Sequence, residues 1–462
     1  MKSFGFKVLH QDGNARAGRL TTPHGVVNTP CFTPVGTQAT VKALTSRDLR
    51  EIGVELLFGN TYHLHLRPGE DVVKKMGGLA KFMSWNGPAR NDSASSSSVS
   101  GGPTFTDSGG FQVFSLAKTL ERLKGPVSGF LPASVPSFAK ASVGKPFSSA
   151  AMPLVAERQS GVGNPSTRAT LSDNENFESS PRLLESQRSL VKITEDGVKF
   201  RSHLDGSLHY FTPEESIRIQ QDLGADLMVA FDDCPPYPAD HAHVKNAVER
   251  THRWALRSLK AAQGKHNNSK QAIYGVIQGG VYKDLREESA KFISGLDFDG
   301  VAIGGVAVGE GKKEMLDVLD WVAPFLPKEK PRHLLGVGEV DDIFEIIERG
   351  VDTFDCVIPT RMGRTGFAFV SPSEGNIKNR YRLDISKTKW QTSKLSLDKN
   401  CDCMICKSYT RGYINHLFRS KELLAYHLLS YHNTYFIINL TKKIREAILE
   451  DRFQSLKKDW LV

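Results

Sequence analysis

Three cysteines fall within six residues, Cys401-x-Cys403-x2-Cys406, and two histidines follow at His427 and His432 in LLAYHLLSYHNTYF. Three thiolates and one imidazole make a closed tetrahedral zinc site, so the chemistry expected here is structural and not catalytic. His432 is the expected fourth ligand, with His427, one helical turn earlier, as the alternative. A second set of candidates is acidic. Asp107 in TDSGGFQ, Asp232 and Asp233 in FDDCPPYP, and Asp355 in FDCVIPTR each follow a short apolar run. One aspartate after a strand is ordinarily a helix cap or a turn residue. Acids recurring after three separate strands suit nucleophilic and general acid/base work at a sugar carbon.

Glycine pairs follow strands at Gly109-Gly110, Gly279-Gly280 and Gly304-Gly305. Glycine allows backbone N–H groups to approach a flat ligand, and its plainer role is turn-making, which is the preferred reading for Gly280. Arg361, Arg364, Lys378, Arg380, Arg382, Lys387 and Lys389 crowd the stretch after Asp355, with Tyr381 and Trp390 among them and only Glu374 and Asp384 opposing. Such a stripe points to a polyanion such as nucleic acid, or more simply to a solvated basic face.

The elements that must position these residues are legible as apolar runs. They are CFTPVGT from Cys31, VELLFGN (54–60), TFTDSGG (104–110), ADLMVAFDD (225–233), AIYGVIQGG (272–280), GVAIGG (300–305), RHLLGVG (332–338) and VDTFDCVIPT (351–360). Continuous apolar runs suit strands buried on both faces, as in parallel sheets. Amphipathic helices separate them. Thr212-Pro213-Glu214-Glu215 reads as a capping box with proline at the first helical position, and Gly224 as the stop. Residues 241–262 keep helical spacing, and another helix opens at Asp342 and ends before Gly350. Eight strands alternating with helices predict a (β/α)8 barrel, with a doubly wound open sheet as the competitor.

Two stretches break the pattern: residues 92–103, rich in Ser and Gly, and residues 119–190, rich in Ser, Pro and Ala. Both read as disordered insertions into the barrel, with a zinc-binding subdomain over residues 375–435. The 462 residues are 39% hydrophobic, enough to fill a core, and carry a formal net charge of +9. A wholly disordered chain is thereby excluded. The absence of any run of about 18 or more apolar residues excludes a spanning helix. Six cysteines are too few for a disulfide scaffold, and with no secretory or transit pattern at the N-terminus the expected compartment is the reducing cytoplasm.

Taken in order, GNTYHLHLRPG, DSGGFQ, FDDCPPYPAD, VIQGG, GGVAVGE, LLGVG, FDCVIPTRMGRTG and CDCMIC with a later His resemble the tRNA-guanine transglycosylase family over nearly the whole chain outside the two insertions. The resemblance implies a (β/α)8 barrel with one structural zinc. It also implies exchange of guanine at the wobble position of GUN anticodons, in tRNAs of the aspartate, asparagine, histidine and tyrosine type, for a 7-deazaguanine. Asp355 matches the family nucleophile and Asp107 the general acid/base. Asp232, Gln278 and the Gly305 N–H match the groups that read the purine edge. Phe111 and Leu335 take the positions that sandwich the base, and Ser108 and Asn60 stand beside them. Arg361 and Arg364 fall where the family grips neighbouring anticodon bases. Cys234 and Val308 are as in bacterial-type members, which implies 7-aminomethyl-7-deazaguanine (preQ1) ahead of the larger queuine. A homodimer is implied as well. The competing functions are a catalytically impaired tRNA-binding partner subunit of the same family and a retaining glycoside hydrolase.

Overall fold

Runs such as AIYGVI have no polar face to offer water, and they become the walls of a closed barrel. A computed structural model describes residues 4–88, 101–113, 191–263 and 271–461. The chain divides into two units, residues 1–118 with 191–462, and residues 119–190. The second unit lies outside the described residues, as do residues 92–100 of the first Ser/Gly-rich stretch.

Three antiparallel strands open the chain: β1 (Gly5–Asp12), β2 (Ala15–Thr22) and β3 (Gly25–Thr29). Then come β4 (Cys31–Gly36), β5 (Leu57–Gly59) and β6 (Thr104–Thr106). A separate antiparallel sheet follows, made of β7 (Val191–Ile193), β8 (Val198–Arg201) and β9 (Leu208–Phe211). The remaining barrel strands are β10 (Leu227–Val229), β11 (Ala272–Ile277), β12 (Gly300–Ile303), β13 (Arg332–Leu334) and β14 (Thr353–Cys356). The eight strands β4, β5, β6, β10, β11, β12, β13 and β14 pair in parallel and close on themselves, β14 against β4. All eight expected runs are therefore strands of one (β/α)8 barrel, and the open-sheet alternative is excluded by that closure.

Helices return the chain between strands, and their ends follow local chemistry. In Pro213–Leu223, Thr212 accepts from the Glu215 N–H, and Gly224 ends the helix in the left-handed region. The expected capping box is only half made, because the Glu215 carboxylate turns to Arg218. Helix His241–Ala262 is capped by Asp240. The helix expected from Asp342 spans Val340–Glu348, so it starts two residues earlier.

Leu20 of β2 and Val27 of β3 pack into the barrel interior with Phe58, Phe105, Leu227 and Tyr274. Arg16 of β2 donates through Nε and Nη2 to the buried Asp352 carboxylate at 3.1 and 2.6 Å, just before β14 begins. The N-terminal sheet thus plugs the barrel at the end where the strands start, which leaves the opposite end for a site. The opposite end receives the residues after β6, while those before β6 lie at the plugged end, Gly101 beside His24. Gly101–Pro103, at the close of the Ser/Gly-rich stretch, are buried barrel residues: the Gly102 N–H donates to the Trp85 carbonyl at 2.8 Å, and Trp85 Nε1 to the Pro103 carbonyl at 3.1 Å.

Past β14 lie helix Ile358–Arg364, the hairpin β15 (Phe367–Phe369) and β16 (Arg382–Asp384), the cysteine loop, and the long helix Leu423–Leu449. That last helix packs on β4, β1 and β2 as well as on helix Ile358–Arg364. No helix among the described residues is long and apolar enough to cross a membrane.

Candidate active site and metal centre

Asp107 is the first residue beyond β6, and its carboxylate is almost fully buried. Asn60 Nδ2 donates to Oδ2 at 2.6 Å, Gln112 Nε2 donates to the same oxygen at 2.9 Å, and the Thr61 N–H donates to Oδ1 at 2.7 Å. Burial nevertheless dominates and, with the nearby charge of Asp355, pushes the carboxyl pKa up to about 7. A carboxyl group at that value carries a proton for a substantial fraction of the time at neutral pH, as a general acid requires.

Asp232 lies just past β10 and holds two donors: Ser108 Oγ to Oδ1 at 2.8 Å and Gln278 Nε2 to Oδ2 at 2.7 Å. Its pKa is raised to about 6, again chiefly by burial. Asp233, its neighbour in sequence, faces elsewhere, and Arg250 Nη1 donates to its Oδ2 at 2.5 Å. The pair of acids thus divides into one cleft residue and one structural ion pair. Gln278 Oε1 is buried with no hydrogen-bond partner. A buried acceptor left open in this way is what a ligand N–H would satisfy.

Gly305, after β12, has φ +63°, and a Cβ there would stand 2.5 Å from Gln278 Oε1. Only glycine fits beside that amide. Gln278, Gly305 and Val308 line one small cleft with Pro235, Tyr237 and Tyr282. The Cys234 thiol is buried beside it, and burial pushes its pKa well above the ordinary thiol range, so it is a thiol and not a thiolate. Leu335 is half-buried against the barrel interior, and the Phe111 ring is 42% exposed at the rim.

Asp355 sits within β14, and its Oδ1 accepts from His333 Nε2 and from the Gly336 N–H, each at 3.2 Å. Of the acids expected at strand ends of one face, Asp107, Asp232 and Asp355 meet there, with Ser108 and Gln278 bonded to Asp232 and Gly305 beside Gln278, whereas Asp233 is held away by Arg250. Two further residues at the site were not expected from the sequence. His333 lies within the run RHLLGVG on β13 and contacts Asp355 directly; a histidine inside an apolar strand was its one signal. Arg286 is fully buried on helix Lys283–Ser294 and donates to the carbonyls of Ile277, Gly280, Gly304 and Gly305 at 2.8–3.0 Å. It ties the loop bearing Gln278 to the one bearing Gly305, and nothing in its spacing marks it.

Arg361 is exposed and Arg364 half-buried on helix Ile358–Arg364, and with Lys42 they have no carboxylate partner among the described residues. Burial first, then the charge of Arg364, lowers the Lys42 pKa. The rest of the basic stripe is partly spent: Arg382 and Arg380 pair with Glu339, and Lys387 with Asp384 at 3.3 Å.

At the metal centre, the ligand atoms of Cys401, Cys403, Cys406 and His432 lie within 4.8 Å of one another. The three sulfurs stand 3.7, 3.5 and 3.3 Å from His432 Nδ1. Zinc–sulfur and zinc–nitrogen bonds meeting at a tetrahedral angle would separate those atoms by about 3.6 Å. His432 Nε2 donates to the Phe369 carbonyl at 2.7 Å, which directs the Nδ1 lone pair at the thiols. His427 instead bonds the Ala43 carbonyl at 2.9 Å, so the fourth ligand is His432. The donor set fits a tetrahedral metal ion.

A family model described as queuine tRNA-ribosyltransferase matches residues 11–127 and 165–462. The chain belongs to the queuine tRNA-ribosyltransferase family. A protein of Caldanaerobacter subterraneus subsp. tengcongensis bearing that name is 42% identical over 100% of this chain and 98% of its own length. One from Herpetosiphon aurantiacus is 42% identical over 100% and 93%, and one from Thermoanaerobacter sp. 41% over 100% and 97%. Membership makes the chain a glycosyltransferase of class EC 2.4.2.29, the tRNA-guanine transglycosylases. Residues 128–164 fall between the two parts that the family model matches.

Proposed function

We propose that the protein exchanges guanine at the wobble position of GUN-anticodon tRNAs for a 7-deazaguanine by double displacement through a covalent Asp355–ribose intermediate. In the first half, an Asp355 oxygen forms a bond to ribose C1′ while the C1′–N9 bond breaks. The electron pair leaves with guanine, which takes a proton from Asp107. In the second half, the incoming base gives a proton back to Asp107, and its ring nitrogen displaces Asp355 from C1′. The single observation that carries this reading is the meeting of two buried acids at one end of the barrel, Asp107 held by Asn60, Thr61 and Gln112 and Asp355 held by His333 and Gly336, near enough for Asp355 to help raise the Asp107 pKa.

Asp232 and the open acceptor of Gln278 would read the purine edge, with the Gly305 N–H beside them. Phe111 and Leu335 would stack on either face of the base. The Val308 side chain narrows the cleft, which supports preQ1, although the relatives' names give queuine. A methylene in such a pocket is worth about 1–3 kcal/mol, so size tunes preference. Arg361, Arg364 and the adjacent Lys42 supply unpaired positive charge at the helix that follows the nucleophile's strand, as an anticodon loop requires. Zinc in the Cys401, Cys403, Cys406 and His432 site would staple the cysteine loop to helix Leu423–Leu449. On the family likeness the enzyme works as a cytoplasmic homodimer.

Asp355→Asn tests the proposal. Radiolabelled guanine should enter unmodified GUN-anticodon tRNA with the native enzyme and fall below detection with the variant. The native enzyme with tRNA and excess preQ1 should also give a protein–RNA species that survives a denaturing gel. Undiminished exchange by the variant would remove Asp355 from the mechanism.

A further inference from the structure

The proposed reaction treats the two oxygens of Asp355 alike, but the structure does not. Oδ1 accepts both the His333 Nε2 and the Gly336 N–H, while Oδ2 has no partner among the described residues and is not among the buried unsatisfied atoms. His333 is itself fixed on every side. It is fully buried, stacked on Phe58 at 5.6 Å with the planes 5° apart, and edge-on to Phe105 at 4.7 Å. Its Nδ1 lies 2.9 Å from Thr353 Oγ1. The chain of bonds sets the tautomer. An ionised Asp355 has no hydrogen to donate, so Nε2 carries the hydrogen, and in the neutral ring Nδ1 presents its lone pair to the Thr353 hydroxyl.

From this we infer that His333 is a positioning residue that locks Asp355 with Oδ2 toward the sugar, making Oδ2 the oxygen that bonds C1′. The inference rests on the transglycosylase reading above. Without a donor at 333, the carboxylate turns about its Cβ–Cγ bond and shares its charge between two orientations. With it, one lone pair is presented to the substrate. When the Oδ2–C1′ bond forms and the C1′–N9 pair departs with guanine, Oδ1 becomes the ester carbonyl oxygen and keeps both hydrogen bonds. When the second base attacks, the same two donors receive the returning negative charge, so His333 favours Asp355 as a leaving group in the second half-reaction.

Two variants separate positioning from packing. His333→Phe preserves an aromatic ring between Phe58 and Phe105 and removes the donor; His333→Gln removes the ring and offers an amide N–H at similar reach. Exchange kinetics with tRNA and preQ1, adduct yield on denaturing gels and melting temperature should be measured for both. The expected result for His333→Phe is a kcat about tenfold to a hundredfold lower with KM for tRNA unchanged and less adduct at steady state. His333→Gln should recover most of kcat despite a lower melting temperature. A purely structural His333 gives the reverse order, with the phenylalanine variant like the native enzyme and the glutamine variant impaired, and that order overturns the inference. Should the phenylalanine variant not fold, a folded glutamine variant with kcat reduced a hundredfold overturns it equally. Imidazole ¹⁵N shifts of the native protein give an independent check: His333 must be the Nε2–H tautomer, and an Nδ1–H tautomer would refute the locking. No exchange by the native enzyme would instead count against the proposed function.

Discussion

At the scale of single residues, the two raised acids differ in what surrounds them, and that difference fixes a pH dependence. Asp107 is pushed up to about 7 mainly by burial, while Thr61 and Gln112 pull it down by donating to its ionised form. Protonated Asp107 is needed to release guanine, so kcat/KM for tRNA should be level below about pH 7 and fall above it. Gln112→Met removes a donor that favours the carboxylate. The Asp107 pKa must then rise, and the alkaline limb should move to higher pH by up to about one unit. A limb that stays put or moves down would show that Asp107 does not set it. The acids themselves were legible in the sequence because each closes an apolar run. Which of Asp232 and Asp233 enters the cleft was not, because that depends on Arg250, seventeen residues on and inside helix His241–Ala262. His333 and Arg286 were hidden for a related reason. Their roles are made by partners distant in sequence, Asp355 and the carbonyls after β11 and β12.

Among the elements, the barrel strands announced themselves by being apolar on both faces, and β11 is buried at every position. The plug formed by β1, β2 and β3 did not, because its burial alternates and its partners are Asp352 and the barrel interior. The metal centre joins the two kinds of element. His432 reaches the cysteines with one nitrogen and Phe369 of β15 with the other, and the next residue, Asn433, accepts the Phe369 N–H at 2.8 Å and donates to the Pro359 carbonyl at 3.0 Å. Helix Leu423–Leu449 therefore holds the cysteine loop on one side and the Arg361-bearing helix on the other. Cys403→Ser should abolish metal binding, measured as loss of about one zinc per chain, and leave a buried imidazole without its partner ion. The melting temperature should drop by on the order of 5 °C or more. Because Asn433 keeps its own bonds, the KM for tRNA should rise more than kcat falls. A variant that retains one metal per chain and its melting temperature would exclude these four residues as the centre.

Over the whole molecule, the site is assembled from strand ends separated by up to some 250 positions in sequence, and closure of the barrel is what brings Asp107 and Asp355 together. The longer Ser-, Pro- and Ala-rich stretch of the sequence falls between those two residues, which makes its tolerance a test of how independent the barrel is. Among the described residues, the acids, the base-reading groups and the metal centre hold one another through bonds such as Thr61 to Asp107, Ser108 and Gln278 to Asp232, and His333 to Asp355. Residues 128–164 also have no counterpart in the family model, which resumes at residue 165. Loop closure depends weakly on length, at about 0.6 kcal/mol for each doubling, so shortening a long connection changes the stability of the barrel little. Deleting residues 128–164 and joining the ends should leave the melting temperature within about 3 °C of the native value and guanine exchange within a few-fold. Melting curves and exchange assays on the shortened chain check both. A shortened chain that folds and exchanges would place the chemistry in the barrel alone. One that folds with its metal intact but has lost exchange would assign the stretch a part in the reaction.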